Sequence, residues 1–275
     1  GVVAMFFFAY PRSAPISVNQ ESLIALLRRE MRVCQNEETK NGCYKRLASR
    51  LANDFTIRDV LNAMVGGEKY PEIFSNCHEL VHYFGQEALR VIGDPAETLA
   101  EGTTVCFAGY YHGVLEIYLM GKNPAGDKVA FSKIASDAEK ICESLISANV
   151  PRRKFNECLH GVGHAFMFFT EANLPQALEM CDMLVSQEEQ TWCYSGVFME
   201  NSTSSTNKDH PSKYLKKDDL LYPCSVLPER YLHSCYMLQG SYFLNLAGGD
   251  WKKTVILCEK VPALYRGNCI NMLGQ

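Results

Sequence analysis

The stretch "CESLISANVPRRKFNECLHGVGHAFMFF", residues 142–169, has a cysteine on either side of a proline-bearing loop. Around Cys142 and after Cys158, apolar residues recur at spacings of three and four, which is the period of an α-helix. A bond between these two cysteines would hold two helices together near their turn. The stretch therefore predicts a helical hairpin that is closed by an internal disulfide.

This arrangement recurs along the chain. The twelve cysteines include five neighbouring couples, Cys34 and Cys43, Cys142 and Cys158, Cys181 and Cys193, Cys224 and Cys235, and Cys258 and Cys269. Cys77 and Cys106 are left over as a possible sixth pair. Apolar stretches of helical length begin at seven cysteines that are 29 to 52 residues apart, namely Cys43, Cys77, Cys106, Cys158, Cys193, Cys235 and Cys269. Two helices per period of this length are typical of helical repeat proteins. We predict an all-α fold of helix-hairpin repeats, either a solenoid or a closed α/α ring, with a disulfide inside each repeat.

The helix pairs resemble tetratricopeptide-like units. Their internal disulfides, such as the predicted one between Cys258 and Cys269, resemble those of the cysteine-rich Sel1-like repeat proteins of bacteria. The usual Sel1-like run of alanine and glycine is not present in this sequence. The resemblance implies an α-helical repeat fold and assigns no functional residue.

The composition limits the classes of function. The chain has 275 residues, of which 47% are hydrophobic and 21% charged, as in ordinary globular proteins. A formal net charge of −4 does not favour binding to nucleic acid, which needs a clustered positive surface. The lack of any CxxC spacing argues against zinc ribbons, iron–sulfur clusters and covalently attached haem.

The cysteines also indicate a compartment. Disulfides that close loops of this size stabilise a protein by about 3 kcal/mol each, on the chain-entropy estimate. Disulfides in this number predict an oxidising, extracytoplasmic location, so that the protein is secreted, periplasmic or membrane-anchored. The alternative is a cytosolic protein with twelve free, buried thiols.

The amino-terminal sequence predicts an attachment. Residues 1–10 are mostly apolar, but a helix needs about 20 such residues to span a bilayer. We interpret residues 1–19 as the trailing part of a signal or anchor segment with a linker, which attaches to a protein partner or a membrane. The alternative is an apolar element packed on the body. Residues 20–275 are predicted to form a single α-helical repeat domain, with polar insertions near 120–133 and 201–219.

Five of the seven histidines fall in the predicted inner helices. His78 and His82 are four residues apart, as are His160 and His164, so each pair lies on one helical face and suits two ligands of one cation. His112 and His164 both follow their leading cysteine by six residues, so we expect the imidazoles to converge. The predicted ligands of a mono- or dinuclear transition-metal site, holding Zn, Cu, Fe or Mn, are His78, His82, His112, Glu116, His160, His164 and Glu200.

Glycines accompany these histidines. They predict either close helix packing or room for a ligand beside the backbone, because each glycine costs a helix up to about 1 kcal/mol relative to alanine. The glycines concerned are Gly109, Gly113, Gly161, Gly163, Gly196 and Gly240.

The segment "HELVH", residues 78–82, matches the HExxH core of zinc metalloproteases, in which two histidines bind zinc and the glutamate is the general base. On this hypothesis Glu79 is the base. The position of the third ligand in the related longer motif is occupied by Ala88, however, and the parallel segment "HGVGH" has Gly161 in place of the base.

Other interpretations remain open at this point. The histidines are either metal ligands, hydrogen-bonded core residues or the lining of a pocket for haem or an organic ligand. The chain is then either a metal-binding protein or metalloenzyme, or a scaffold subunit of an extracytoplasmic or membrane-associated assembly. The residues do not name a reaction or a small-molecule substrate.

Overall fold

The computed structural model describes residues 19–36, 39–122, 131–147, 151–203 and 212–272. Within these ranges the chain is all-helical and contains no strand, which confirms the predicted all-α class. The predicted amino-terminal segment, except Asn19, and the middle parts of both predicted insertions lie outside the described residues.

The described ranges contain fourteen α-helices and a short 3₁₀ turn at Cys224–Val226. The helices are α1 (Gln20–Gln35), α2 (Lys40–Asp54), α3 (Ile57–Gly67), α4 (Pro71–Phe74), α5 (Cys77–Ile92), α6 (Pro95–Glu101), α7 (Gly109–Lys122), α8 (Phe131–Ser147), α9 (Arg152–Phe169), α10 (Leu174–Cys181), α11 (Gln187–Thr203), α12 (Glu229–Leu246), α13 (Trp251–Cys258) and α14 (Ala263–Asn271).

Local sequence signals set several helix ends. The side chains of Asn19, Thr56 and Asp94 each accept a hydrogen bond from a backbone N–H in the first turn of the helix that follows. Such caps satisfy donors that have no partner inside the helix. Helix α5 is capped at its carboxyl end by Gly93, which has a φ of 82° and therefore adopts the left-handed conformation that glycine tolerates best.

Six disulfides join the cysteines in the predicted couples, including Cys77 with Cys106. No cysteine is free, so the alternative of twelve buried thiols is wrong. Most of the bonds join neighbouring helices near their connection: α1 to α2, α8 to α9, α10 to α11, and α13 to α14. The covalent framework therefore holds short hairpins together.

One series of helices packs in chain order, namely α2, α5, α7, α9, α11, α12 and α14. Helix α5 contacts α2 and α7, α9 contacts α7 and α11, and α12 contacts α11 and α14. Buried apolar side chains, among them Leu27, Phe84 and Phe166, form a continuous core beneath these contacts. The order of contacts brings α5, α7, α9 and α11 together, and these helices carry all the predicted site residues.

Two of these helix contacts depend on glycine. A Cβ atom at Gly113 of α7 would overlap the carbonyl oxygen of His82 on α5. Likewise, a Cβ at Gly196 of α11 would overlap the carbonyl oxygen of His160 on α9. At both positions the glycine lets the backbones approach closely, beside histidines. The prediction of close helix packing at these glycines is therefore confirmed.

Candidate metal centre

Three histidines form a compact buried cluster. His112 on α7 and His160 and His164 on α9 are each less than a tenth exposed. One ring nitrogen from each lies within 4.8 Å of the corresponding nitrogens of the other two. The fold therefore places three imidazole donors where a metal ion could bind.

Hydrogen bonds fix the protonated nitrogen of two of these rings. His164 Nδ1 lies 2.9 Å from Glu200 Oε2 on α11, and because a carboxylate only accepts, Nδ1 carries the hydrogen. His160 Nδ1 lies 2.7 Å from Ser195 Oγ, also on α11. The Ser195 hydroxyl donates to the Trp192 carbonyl at 2.6 Å, so its oxygen accepts from His160. In both rings the network assigns the lone pair to Nε2.

The two Nε2 atoms face each other. His160 Nε2 and His164 Nε2 are 3.2 Å apart, and both carry a lone pair, so neither has a hydrogen to donate to the other. Two imidazole ligands of one tetrahedral zinc ion would have nitrogens about 3.3 Å apart, given Zn–N bonds of about 2.0–2.1 Å. The observed spacing therefore fits a shared cation.

His112 completes the cluster. Its ring stacks on that of His164, with centroids 3.8 Å apart, and its side chain is 1% exposed. Neither its Nδ1 nor its Nε2 has a hydrogen-bond partner. A buried polar atom without a partner costs about 1–3 kcal/mol. A metal ion would satisfy one of these atoms.

Burial keeps the imidazoles neutral. Desolvation, together with a smaller effect of the neighbouring His78, lowers the pKa of His164 to about 3. Desolvation and the surrounding histidines also hold the pKa values of His112 and His160 well below the usual range. Neutral imidazole is the form that binds metals, so these side chains are ready to coordinate at neutral pH.

The predicted residues of α5, together with Glu116, lie near His112. The rings of His78 and His82 on α5 are 5.2 and 6.2 Å from the His112 ring. His82 Nε2 lies 3.5 Å from Glu116 Oε2 on α7. All seven predicted residues thus occur in one region, but among the described residues only the three clustered histidines bring their donor atoms within 4.8 Å of one another.

Three neighbours of the predicted site residues were not anticipated from the sequence. Ser195 receives a hydrogen bond from His160, Gln86 Nε2 donates to Glu116 Oε2 at 3.0 Å, and the Cys106 carbonyl lies 2.9 Å from His78 Nδ1. One signal was present: Ser195 follows Cys193 by two residues, as His160 follows Cys158. Aligning the two segments would have placed Ser195 opposite His160.

The HExxH hypothesis finds little support in the geometry. The side chain of Glu79 is exposed, whereas the histidines that flank it are largely covered. Ala88, at the position of the third ligand, is fully buried in the core.

No known family model matches the sequence, and no curated protein or solved structure is significantly similar to it. What can be said of function therefore rests on the site. The six disulfides indicate an oxidising environment. Of the helices in the described ranges, none is both long and apolar enough to cross a bilayer.

Proposed function

We propose that this chain is a metal-binding protein and that His112, His160 and His164 hold a transition-metal ion. The observation that carries the proposal is the pair of Nε2 atoms that face each other at 3.2 Å with a lone pair on each. Without a cation, this contact and the unpartnered nitrogens of His112 are unfavourable. A cation bound between the three rings turns the same atoms into ligands.

The donor set favours zinc, copper or iron. Neutral imidazole suits all three metals, and the selection among them depends on geometry and supply. Ser195 and Glu200 act as positioning residues, because each accepts the Nδ1 hydrogen of a ligand and keeps its ring oriented. Three imidazoles with a further open position are the donor set of catalytic zinc sites, where the metal supplies Lewis acidity. We therefore extend the proposal to a metalloenzyme or a metal-binding subunit.

Elemental analysis of the purified chain tests this function. We expect a stoichiometric transition metal in the wild type, and its loss in His160→Gln and His164→Gln, which remove one donor each. His233→Gln is the matched control, because His233 is exposed on α12 away from the cluster. A wild-type chain that retains no zinc, copper or iron after incubation with each would refute the proposal.

The organisation of the chain supports a wider proposal. We propose that the disulfide-closed helix pairs are repeats of one unit within a single domain, which works in an extracytoplasmic compartment. Residues 1–10 would attach it to a protein partner or a membrane. This part of the proposal rests on the sequence pattern and on the six bonds inside the hairpins.

A second candidate function is an interaction scaffold. It is favoured by the exposed apolar side chains of Trp251, Ile256 and Leu264 on α13 and α14, which are 53%, 59% and 78% exposed. Exposed apolar groups of this kind are enriched where proteins meet. A chain that binds no metal, and whose stability is unchanged in His160→Gln, would favour the scaffold.

The protease hypothesis makes a different prediction. If the chain were an HExxH enzyme, Glu79→Gln would abolish activity while metal stays bound. We expect Glu79→Gln to leave metal content unchanged and to have no effect on any activity that depends on the cluster, because the Glu79 side chain is exposed.

A further inference from the structure

A second set of donors lies beside the first. His78 Nδ1 is 2.9 Å from the Cys106 carbonyl, and because a carbonyl oxygen only accepts, Nδ1 carries the hydrogen. The lone pair of His78 is therefore on Nε2, as in His160 and His164. Three of the five imidazoles, those of His78, His160 and His164, are thus held in the same tautomer. In each ring a neighbour accepts the Nδ1 hydrogen, and the lone pair is on Nε2.

Glu116 occupies a different place from Glu200. Glu200 accepts from the Nδ1 of His164 at 2.9 Å, on the side of the ring that faces away from the facing Nε2 pair. Glu116 instead lies 3.5 Å from the Nε2 of His82, the ring nitrogen that is farther from the backbone. This distance is too long for a good hydrogen bond. It is near the separation of about 3–3.4 Å between a nitrogen and an oxygen ligand of one cation.

The side chains of His82 and Glu116 are largely buried. They are 17% and 14% exposed, and Gln86 donates to the same Glu116 oxygen at 3.0 Å. A buried carboxylate needs a positive partner or several donors to offset its desolvation. In the part of the chain that the structure describes, Gln86 is the donor recorded for Glu116, and no lysine or arginine forms an ion pair with it.

His112 contacts both sets of donors. One of its nitrogens belongs to the compact cluster with His160 and His164, and its other nitrogen is also buried without a partner. The rings of His78 and His82 lie 5.2 and 6.2 Å from it, and the rings of His164 and His160 lie 3.8 and 5.4 Å from it. The five imidazoles therefore form one continuous group.

We propose that His78, His82 and Glu116 bind a second divalent transition-metal ion beside the first. The inference rests on the proposed function, because it adds a neighbouring ion to the same centre. Two imidazoles and one carboxylate form the donor set of several zinc and non-haem iron sites, whereas the first site offers imidazoles alone. The carboxylate makes the second site the better one for a harder cation such as iron(II) or manganese(II).

The second site is the weaker of the two. Its donor atoms are not gathered within 4.8 Å as those of the first site are, so binding must draw α5 and α7 side chains together. Reorganisation of this kind lowers affinity. Metal ions therefore bind in order, first at the three-histidine site and then at the second site.

Copper(II) titration of the metal-free full-length chain tests this inference. We expect two equivalents of copper(II) to bind. In electron paramagnetic resonance, the first equivalent should give the signal of an isolated ion, and the second should reduce that signal, because ions this close couple magnetically. Glu116→Gln and His82→Gln are expected to bind one equivalent with an unreduced signal. His233→Gln, the exposed control, is expected to bind two equivalents.

The outcomes separate this inference from the proposed function. A wild-type chain that binds one equivalent, and a Glu116→Gln chain that behaves identically, would remove the second site and leave the first. A chain that binds none would remove both. Two equivalents that persist in Glu116→Gln and His82→Gln would overturn the assignment of ligands. If either variant fails to fold, the magnetic coupling between two copper ions in the wild type still shows whether a second ion binds beside the first.

Discussion

At the scale of single residues, the position of one hydrogen decides what an imidazole can do. Ser195 and Glu200 hold the hydrogens of His160 and His164 on Nδ1, so both Nε2 atoms are left as donors of a lone pair. Residues in this role are not ligands, but they set the orientation and basicity of the ligands.

Removal of the Ser195 hydroxyl should weaken metal binding. In Ser195→Ala the Nδ1 hydrogen of His160 loses its acceptor, and we expect metal affinity to fall about 10- to 100-fold, measured by competition with a chelator of known affinity. Ser195→Thr keeps the hydroxyl and should restore most of the affinity. Ser144→Ala is the matched control, because the Ser144 hydroxyl bonds only a carbonyl of its own helix. Equal affinities of Ser195→Ala and the control would contradict the positioning role.

The buried histidines should also make the metal-free protein sensitive to acid. Desolvation lowers the folded-state pKa of His82 and His164 to about 3, whereas the unfolded chain titrates near the usual value of about 6.5. The unfolded state therefore binds more protons below about pH 6.5, and stability falls as the pH falls. Each such histidine contributes a slope of up to about 1.4 kcal/mol per pH unit in this window.

Urea unfolding of the metal-free chain at about pH 7 and about pH 5.5 measures this effect. Burial raises the pKa of Glu116 to about 7, so the folded chain takes up one proton in the same range and offsets part of the effect. We expect a lower free energy of unfolding at the more acidic pH. His164→Gln should show a shallower dependence, since one buried group no longer titrates. A free energy of unfolding that does not change between the two values would contradict the burial of neutral imidazoles.

At the scale of helices, the site depends on the close approach of α9 and α11. Gly196→Ala places a Cβ against the carbonyl of His160, and either the helices separate or the backbone shifts. We expect a loss of about 1–3 kcal/mol of stability, measured by urea unfolding, together with weaker metal binding. Gly267→Ala is the control, because a Cβ at Gly267 of α14 meets open space. There we expect a gain of up to about 1 kcal/mol, as for an alanine in a helix interior. The same sign for both variants would contradict the proposed contact.

The helices and disulfides were predictable from the sequence because both depend on spacing along the chain. His160 and His164 share a face as any residues four apart in a helix do, and Cys142 and Cys158 pair because they lie on consecutive helices, 16 residues apart in sequence. The Nδ1 contact of His78 with the Cys106 carbonyl was not predictable, since it depends on packing and on the side-chain rotamer. Which three of the five histidines form the compact cluster depends on the same packing.

At the scale of the whole molecule, the disulfides and the site are linked through α9. The bond between Cys142 and Cys158 joins α8 to α9 two residues before His160. The bond between Cys258 and Cys269 joins α13 to α14, which carry none of the proposed ligands.

Removal of each of these bonds should therefore have different effects on the site. Replacing Cys142 and Cys158 together with serine should lower stability by about 3 kcal/mol on the chain-entropy estimate and should weaken metal binding. The same change at Cys258 and Cys269 should lower stability by a similar amount and leave metal affinity unchanged. Thermal unfolding and chelator competition measure the two effects, and a loss of affinity in both double variants would show that the site depends on global stability.

The pairing of every cysteine has a consequence for how the molecule matures. No thiolate is left to bind a metal, and each proposed ligand is an imidazole or a carboxylate, which oxidants of thiols leave untouched. Oxidative folding and metal loading then draw on separate sets of atoms, so neither step competes with the other. The cell can complete the covalent framework first and deliver the ion afterwards, and a chelator should withdraw it again without reopening a single sulfur–sulfur bond.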